Sequence, residues 1–492
     1  MRFNRTAWPI LVLVSGIPRI LGAFFLPNGF GDAYVYIRDI GTLSTKISTG
    51  TFRLTDLFGF WLPLYQLIAA VLNLLIRNGF YSGKLVSAVF GIGVCLFVYA
   101  ITFALTSSRK AAALIFLLIA LNPLHIFYSA SAMTDIPHAF FVLGALYFVL
   151  KKQWVIAAIF AALAGATRVE SWMFIVLIPL VQILRERRVS IVAVLIMILP
   201  PLFWFYISWR AAGSWLACFQ QRQQYLEWLL VMNPAIARFS LINILRDGAT
   251  LLVSSDIAVL FACFAAGWFV LRQFLEIPRR KLSEETQMLL PPAVFFFAFF
   301  FLLFVAYLTH QQPIIFPRYG LILFTLGLPI LAWAFLRAKQ QRPLRARPLL
   351  VGIMVVLAFD ASIQFAGAVG TVNQYHVQRA AAEYLHDHFD PKSNARLFCD
   401  DGTVKVLSGI SEERFVTSSD VPRDREGFLS ALKANNVEYL VFVDHQPTTV
   451  NRLFKDLEYG DYGDWFEREF NSHTNFLPTQ IWVYRFHAEN VK

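Results

Sequence analysis

Along the first three quarters of the chain, apolar residues run in stretches near the length of a membrane helix, broken by short polar segments. A spanning helix needs about 20 apolar residues. Candidate spans lie at roughly 8–26, 85–105, 111–128, 138–150, 154–167, 172–184, 189–207, 249–271, 288–308, 319–336 and 348–367. A further apolar stretch, FGFWLPLYQLIAAVLNLLI at 58–76, is ambiguous. Tyr36, Ile40, Leu43 and Ile47 repeat near helical spacing among charges, which predicts an amphipathic helix in the interface. From about residue 371 the pattern changes. HVQRAAAEYLHDHF predicts a helix, ARLFCDD a strand, 402–409 a helix, RFVTSS a strand, REGFLSALKANN a helix, and VEYLVFVDH and QIWVYRF strands. Strands alternating with helices predict a small α/β domain with a partly parallel sheet.

The predicted architecture is therefore an α-helical polytopic membrane protein with about 11 spans and a small C-terminal α/β soluble domain. Residues 1–370 form the membrane part, 27–84 its first external loop with interface helices, and 371–492 an extracytoplasmic domain. Composition agrees. Of 492 residues 57% are hydrophobic and 15% charged, too apolar for an ordinary soluble core. The formal charge of +11 fits basic cytoplasmic loops better than a nucleic-acid partner, since no basic stripe with interleaved aromatics occurs in the soluble part. The four cysteines show no paired spacing, so neither a disulfide framework nor a zinc site is expected.

Charge also addresses the ambiguous stretch. If 58–76 does not cross, Arg2, Arg5, Arg109, Lys110, Lys151, Lys152, Arg185, Arg187, Arg188 and the basic run at 337–347 all fall inside. Fewer cations remain outside, among them Arg38, Lys46, Arg53, Arg77 and Lys84 of the first loop. The stretch is then a re-entrant or interface-lying helix. The N-terminus is cytoplasmic, and the long loops and the C-terminal domain share the opposite face. The setting is a plasma (inner) membrane, multi-pass.

The external span ends gather ionisable residues, which are costly near a bilayer without partners. They are Asp32 in GFGDAYVYIRDI, Asp135 in YSASAMTDIPHAFF, Arg168 and Glu170 in AGATRVESW, and His310 and Arg318 in THQQPIIFPRYG. Carboxylates and arginines at one face suit an anionic head group and a nucleophile that must lose a proton. Each also has a structural reading. Asp32 and Asp135 can cap helices, and Arg168 with Glu170 can be a simple ion pair. His125 and His138 flank the Asp135 loop, and a metal there is the minority reading. The aromatic stretch 204–228, with Trp204, Trp209, Trp215, Tyr225 and Trp228, reads as an interface belt more readily than a sugar platform.

Four elements carry a family resemblance over roughly residues 1–340. They are Asp32 in GDAYVY, the W-x-P-L-Y element of Trp61, Pro63, Leu64 and Tyr65, the stretch from Asn122 through Thr134-Asp135 to Pro137, and the P-R-Y-x-L motif of Pro317, Arg318, Tyr319 and Leu321. Their order resembles the membrane-embedded C-type (GT-C) glycosyltransferases, in particular bacterial relatives of the dolichyl-phosphate-mannose-protein mannosyltransferases and the lipid A aminoarabinose transferases. The resemblance implies a hexosyl- or mannosyl-like glycosyltransferase of the cell envelope. Its sugar would come from a polyprenyl-phosphate donor and pass to a glycan, lipid or protein acceptor at the extracytoplasmic face. By the same resemblance Asp32 is the base, Asp135 the second acid of the site, Arg168 a cation facing the lipid phosphate and Arg318 another. Glu170, Tyr319 and Tyr65 complete the expected substrate-binding set. The chain departs from the family in Ala33, where a second acid often stands, and in Trp-Leu-Pro-Leu of the first loop. Lys46, Arg53 or Arg77 are then alternative phosphate partners. No D-x-D motif occurs, so neither a metal nor another cofactor is expected. A transporter or flippase is the alternative, with Asp256 and Asp360 as its candidate mid-membrane charges, and a noncatalytic scaffold is another.

Overall fold

The computed structural model describes residues 7–28, 31–232, 240–276, 283–390, 392–444, 448–455, 457, 464–473 and 480–491. Arg2, Arg5 and the side chain of Trp228 lie outside them. The chain forms two compact units: Met1–Leu26 with Asp39–Gln224 and Arg238–Ala366, and Pro27–Arg38 with Tyr225–Ala237 and Gly367–Lys492.

In chain order the membrane-type helices are α1 (Ala7–Phe25), α2 (Gly31–Ser48), α3 (Leu64–Ile76), α4 (Gly79–Thr106), α5 (Arg109–Ala120), α6 (Pro123–Ser129), α7 (Asp135–Leu150), α8 (Trp154–Thr167), α9 (Phe174–Glu186), α10 (Ile191–Ala212), α11 (Ala217–Met232), α12 (Leu241–Ser255), α13 (Ile257–Glu276), α14 (Glu284–Leu308), α15 (Pro317–Gln341) and α16 (Pro343–His388). Among the described residues seven are long and apolar enough to cross a membrane, or eight if the bent pair α5–α6 is one span. By these criteria the expected eleven is not reached. Several expected spans are helices of 13 to 16 residues: α7, α8 and α9. The expected span at 249–271 is cut at Asp256 into α12 and α13. The ambiguous stretch is helical over the 13 residues of α3, about 20 Å at 1.5 Å per residue, too short to cross the ~30 Å of hydrocarbon alone.

Helix α1 shows how sequence sets the packing. Ile10, Leu13, Ile17, Leu21 and Phe24 recur at helical spacing and are all about half exposed or more, a stripe suited to lipid. Ser15 and Arg19 lie on the opposite side and are wholly buried. The Arg19 guanidinium donates to the carbonyls of Ser15 (2.8 Å), Ala120 (3.0 Å) and Ile119 (3.1 Å), and contacts His125 Nδ1 at 2.7 Å. Residues 119 and 120 end α5, where the chain bends by 62° into α6. The last carbonyls of a helix have no partner within it, and lipid supplies none. Arg19 supplies the donors, and its charge suits a helix C-terminus. Beyond the bend Pro123 occupies the first helical turn, and the Asn122 side chain accepts from the His125 amide at 2.8 Å.

Helix α15 is the most buried of the long helices and packs against α4, α12, α13 and α14. Glycine permits the approach. A Cβ added at Gly327 would stand 2.3 Å from Val259 Cγ1 and 2.9 Å from Cys263 Sγ.

The second unit holds a five-stranded sheet of β1 (Arg396–Phe398), β2 (Phe415–Val416), β3 (Val437–Val443), β4 (Phe466–His473) and β5 (Gln480–Phe486). Its order is β2-β1-β3-β5-β4. β1 runs parallel to β2 and β3, and β5 antiparallel to β3 and β4. Alternation along β3 serves two cores. Tyr439, Val441 and Val443 pack with Val377, Ala381 and Leu385 of α16. Leu440 and Phe442 pack with Phe428 and Leu432 of α18 (Arg425–Ala434). Short helices α17 (Gly402–Leu407) and α19 (Thr449–Leu453) complete the unit.

Replacing Arg19 by leucine removes the donors for Ile119 and Ala120 inside the bundle. A loss of about 2–4 kcal/mol is expected, from two orphaned carbonyls at about 1–3 kcal/mol each with partial relaxation. All four cysteines are buried, so thermal unfolding in detergent read by a thiol-reactive dye checks it.

Candidate functional site

Asp135 opens α7, with Thr134 at the cap position. It lies in the first turn, where a carboxylate faces the positive end of the helix dipole. α8 stops at Arg168, whose backbone turns extended before a 3₁₀ turn at Val169–Met173. From this corner the Arg168 guanidinium spans two carboxylates. Its Nη1 donates to Asp135 Oδ1 at 2.8 Å and its Nη2 to Glu170 Oε1 at 2.9 Å. The other oxygen of Asp135, Oδ2, is buried and has no hydrogen-bond partner among the described residues. Burial raises the Glu170 carboxyl, but the Arg168 charge and hydrogen bond outweigh it and hold it at about 2. One turn along α7, His138 Nε2 meets Ser171 Oγ at 2.7 Å.

Two more expected residues border this trio. Tyr65 lies within electrostatic range of Asp135, and Tyr319 within that of Arg168. The Tyr65 hydroxyl donates to the Gly83 carbonyl at 2.9 Å, and Ser87 Oγ reaches both Tyr65 Oη (3.3 Å) and the Met133 carbonyl (3.2 Å). Arg318, beside Tyr319 at the start of α15, stands 5.4 Å from the ring centres of Phe316 and Tyr319. Of the expected set, the structure thus brings Asp135, Arg168, Glu170, Tyr65 and Tyr319 together.

Asp32 belongs to the second unit. It is in the first turn of α2 rather than capping it from outside, and is part-exposed. This end of α2 is fastened within that unit. Tyr34 is buried, Gly31 lies against Gly402, and Arg38 pairs with Glu412 at 3.0 Å.

The alternative loop cations fare unequally. Lys46 is paired with Asp56 at 2.7 Å, and Arg53 and Arg77 are exposed. Reading the sequence missed Lys84. It stands in the first turns of α4 and is wholly buried. Its ammonium donates to the Leu26 carbonyl and stands 4.7 Å from the centre of the Phe80 ring. Among the described residues no carboxylate meets it. The available signal was an ammonium set within GFYSGKLVSAVFGIG, an otherwise apolar and small-residue run.

The two histidines near Asp135 part company, His125 with Arg19 and His138 with Ser171. Among the described residues no group of three His, Cys, Asp or Glu is arranged to hold a metal ion. Trp209 and Trp215 stack with ring centres 5.3 Å apart and planes 5° from parallel, both about half exposed.

The fold is α-helical, with several helices long and apolar enough to cross a membrane and a small C-terminal sheet domain, and it is similar to that of a solved membrane protein. The likeness extends along the whole chain to ArnT from Cupriavidus metallidurans. Its crystal structure in the apo state matches with a TM-score of 0.57 and 14% identity, covering 100% of both chains. Its structure bound to undecaprenyl phosphate matches with a TM-score of 0.55 and 13% identity, covering 99% of this chain and 100% of that one. No protein-family model matches the sequence, and no curated protein matches it.

Replacing Arg168 by glutamine leaves Asp135 and Glu170 facing each other without a cation. At pH 7 the cost is about 2 kcal/mol. The pH response should also change sign. In the wild type the Glu170 carboxyl is held below its ordinary 4.5, so its contribution is complete at neutral pH and is lost as pH falls below about 4.5. In Arg168→Gln, acidification from pH 7 to 5 relieves repulsion, so the melting temperature rises where the wild type's stays level. Melting curves of both proteins across pH 5–7 check this.

Proposed function

We propose that this protein transfers a glycosyl group from a polyprenyl-phosphate carrier to an acceptor hydroxyl at the extracytoplasmic face of a plasma membrane. The observation that carries the reading is the Asp135–Arg168–Glu170 cluster, with a buried carboxylate oxygen left open, at the start of α7 in a GT-C fold. The ArnT structure bound to undecaprenyl phosphate supports the donor class. The domain boundary near residue 370 and the extracytoplasmic C-terminal domain belong to the same proposal.

The chemistry is a single displacement with inversion. The acceptor oxygen attacks the anomeric carbon, the carbon–oxygen bond to phosphate breaks, and the hydroxyl proton passes to a carboxylate. Asp32 is the proposed base, and Asp135 the proposed second acid that orients the acceptor or sugar through its open oxygen. The departing polyprenyl phosphate carries the negative charge away and needs fixed cations. Arg168 is already divided between two carboxylates, so its proposed task shifts from meeting phosphate to holding Asp135 and Glu170 in place. Lys84, buried with no carboxylate beside it among the described residues, and Arg318 are the proposed phosphate cations.

A transfer assay in nanodiscs, offering a panel of radiolabelled polyprenyl-phosphate sugars to crude membrane acceptors, tests this. The wild type is expected to move label, with Asp32→Asn and Asp135→Asn reduced about 100-fold or more, and Lys84→Met weakened in donor binding. Equal transfer by Asp32→Asn and wild type would remove Asp32 from the mechanism and leave Asp135 as base. No transfer from any donor would favour the transporter or scaffold alternatives.

A further inference from the structure

Helix α17 of the C-terminal domain meets the segment that carries Asp32. Pro27–Arg38 and Gly367–Lys492 share the second unit, and the first turns of α2 lie against α17. Gly31, Val35 and Arg38 recur at i, i+4 and i+7, so they share one face of α2. A Cβ added at Gly402 would stand 3.7 Å from the Gly31 carbonyl oxygen and 4.0 Å from Val35 Cγ2. One turn along α17, Lys405 joins the same contact. Glu412 Oε1 accepts from Arg38 Nη1 at 3.0 Å and from Lys405 Nζ at 3.3 Å. One face of α2 is thus met at two points.

The start of α17 is itself firmly placed. It follows β1, and the Cys399 amide donates to the Val416 carbonyl at 3.0 Å, which carries the β1–β2 pairing into the turn. Asp400 accepts from the Ser418 amide (2.7 Å) and hydroxyl (2.6 Å). Asp401 caps α17 through the Val404 amide (2.9 Å) and accepts from Gln378 Nε2 of α16 at 2.8 Å. Val404 packs in one core with Ala381 and Leu385. On the α2 side Ala33, Tyr34, Tyr36 and Ile37 are all buried, whereas Asp32 is part-exposed. Contacts at Gly31 and Val35 and burial of Ala33 and Tyr34 therefore bracket Asp32 and leave it open to the surface.

We propose that α17 is the seat that positions Asp32 for glycosyl transfer, with Gly402 as its positioning residue, so that the C-terminal domain takes part in catalysis through α2. The inference rests on the proposed role of Asp32 as base. A base must stand within hydrogen-bond reach of the hydroxyl it deprotonates, and a displacement of about 1 Å is enough to cost two orders of magnitude in rate. At position 402 a methyl group fits at ordinary contact distance, whereas a longer side chain directed at α2 meets the Gly31 carbonyl or Val35. The Arg38–Glu412–Lys405 bridge is half-exposed and adds less to the fastening than this packing does.

Full-length protein in nanodiscs tests the seat in two arms. Hydrogen exchange at the amides of residues 35–38 reads the fastening without any need of activity, and kcat and donor KM in the transfer assay read its consequence. Gly402→Ala, the conservative change, should keep the wild-type behaviour in both. Gly402→Phe, which wedges α17 from α2, should raise exchange at 35–38 by about tenfold or more. It should also lower kcat about 100-fold with donor KM constant within a factor of about two. A role in folding alone would instead lower the melting temperature and leave kcat per folded molecule unchanged. Should Gly402→Phe not fold, Glu412→Lys at its half-exposed position sets a third cation beside Arg38 and Lys405, with the same signature expected in smaller measure. Raised exchange with wild-type kcat overturns the positioning role, and unchanged exchange overturns the seat. A wild type that transfers no label overturns the role of Asp32 on which the inference rests, and the exchange arm tells that failure from a failure of the seat.

Discussion

A backbone amide or carbonyl inside a bilayer has no water to turn to, and the rest of this fold follows from that constraint. An unbroken helix meets it alone. Three helix breaks in the first unit show how it is met: at two of them side chains meet exposed backbone groups, and at the other side chains meet one another. Arg19 supplies donors to the end of α5. Asp256 and Asp360 supply acceptors to the start of α13. At the third, where α8 gives way to the 3₁₀ turn, Arg168 links that corner to the first turn of α7. The sign of each side chain follows the helix dipole: cation at a C-terminus, anion at an N-terminus. Ionisable residues in an apolar bundle are thus largely explained by where the helices stop.

That relation decided what could be read from the residues beforehand. Asp135, Arg168 and Glu170 were legible because charge at a span end stands out against apolar neighbours, and the structure joins all three. The soluble unit was legible where apolar alternation marked β1, β3 and β5. Strand β4 was not, because FEREFNSH at the sheet edge is charged and polar, as exposed edges are. Helix α16 was expected to end near 367, where Gly367 and Gly370 weaken helical propensity. It runs instead as a single helix of 46 residues. Its last turns are held by packing of Val377, Ala381 and Leu385 on the sheet, which propensity does not register. The cut at Asp256 was missed for the opposite reason. Its flanks are apolar enough to read as one span, and a lone aspartate says nothing of a partner on α16 more than a hundred residues away.

Lys84 and Arg168 invert the roles their positions suggest. A lysine at the start of a span ordinarily extends its ammonium to the interface, and an arginine at a corner beside a lipid site ordinarily meets phosphate. Here the arginine is neutralised twice over, and its cluster of two carboxylates and one guanidinium carries a net negative charge. Such a cluster repels an approaching phosphate and attracts hydroxyl donors. The lysine is buried with a carbonyl and a ring for company. Carbonyl and ring stabilise an ammonium in part and leave its charge unmatched, whereas a phosphate oxygen would match it at short range with little water between. Within the proposed reaction the positive and negative parts of the site are therefore separate. Acceptor and sugar hydroxyls are drawn to the Asp135 side, and the leaving phosphate to the base of α4 and Arg318. Separation of this kind keeps the carboxylates from opposing departure of the phosphate, and it leaves each charge desolvated and fixed before the donor arrives, the condition under which electrostatic stabilisation of a transition state is largest.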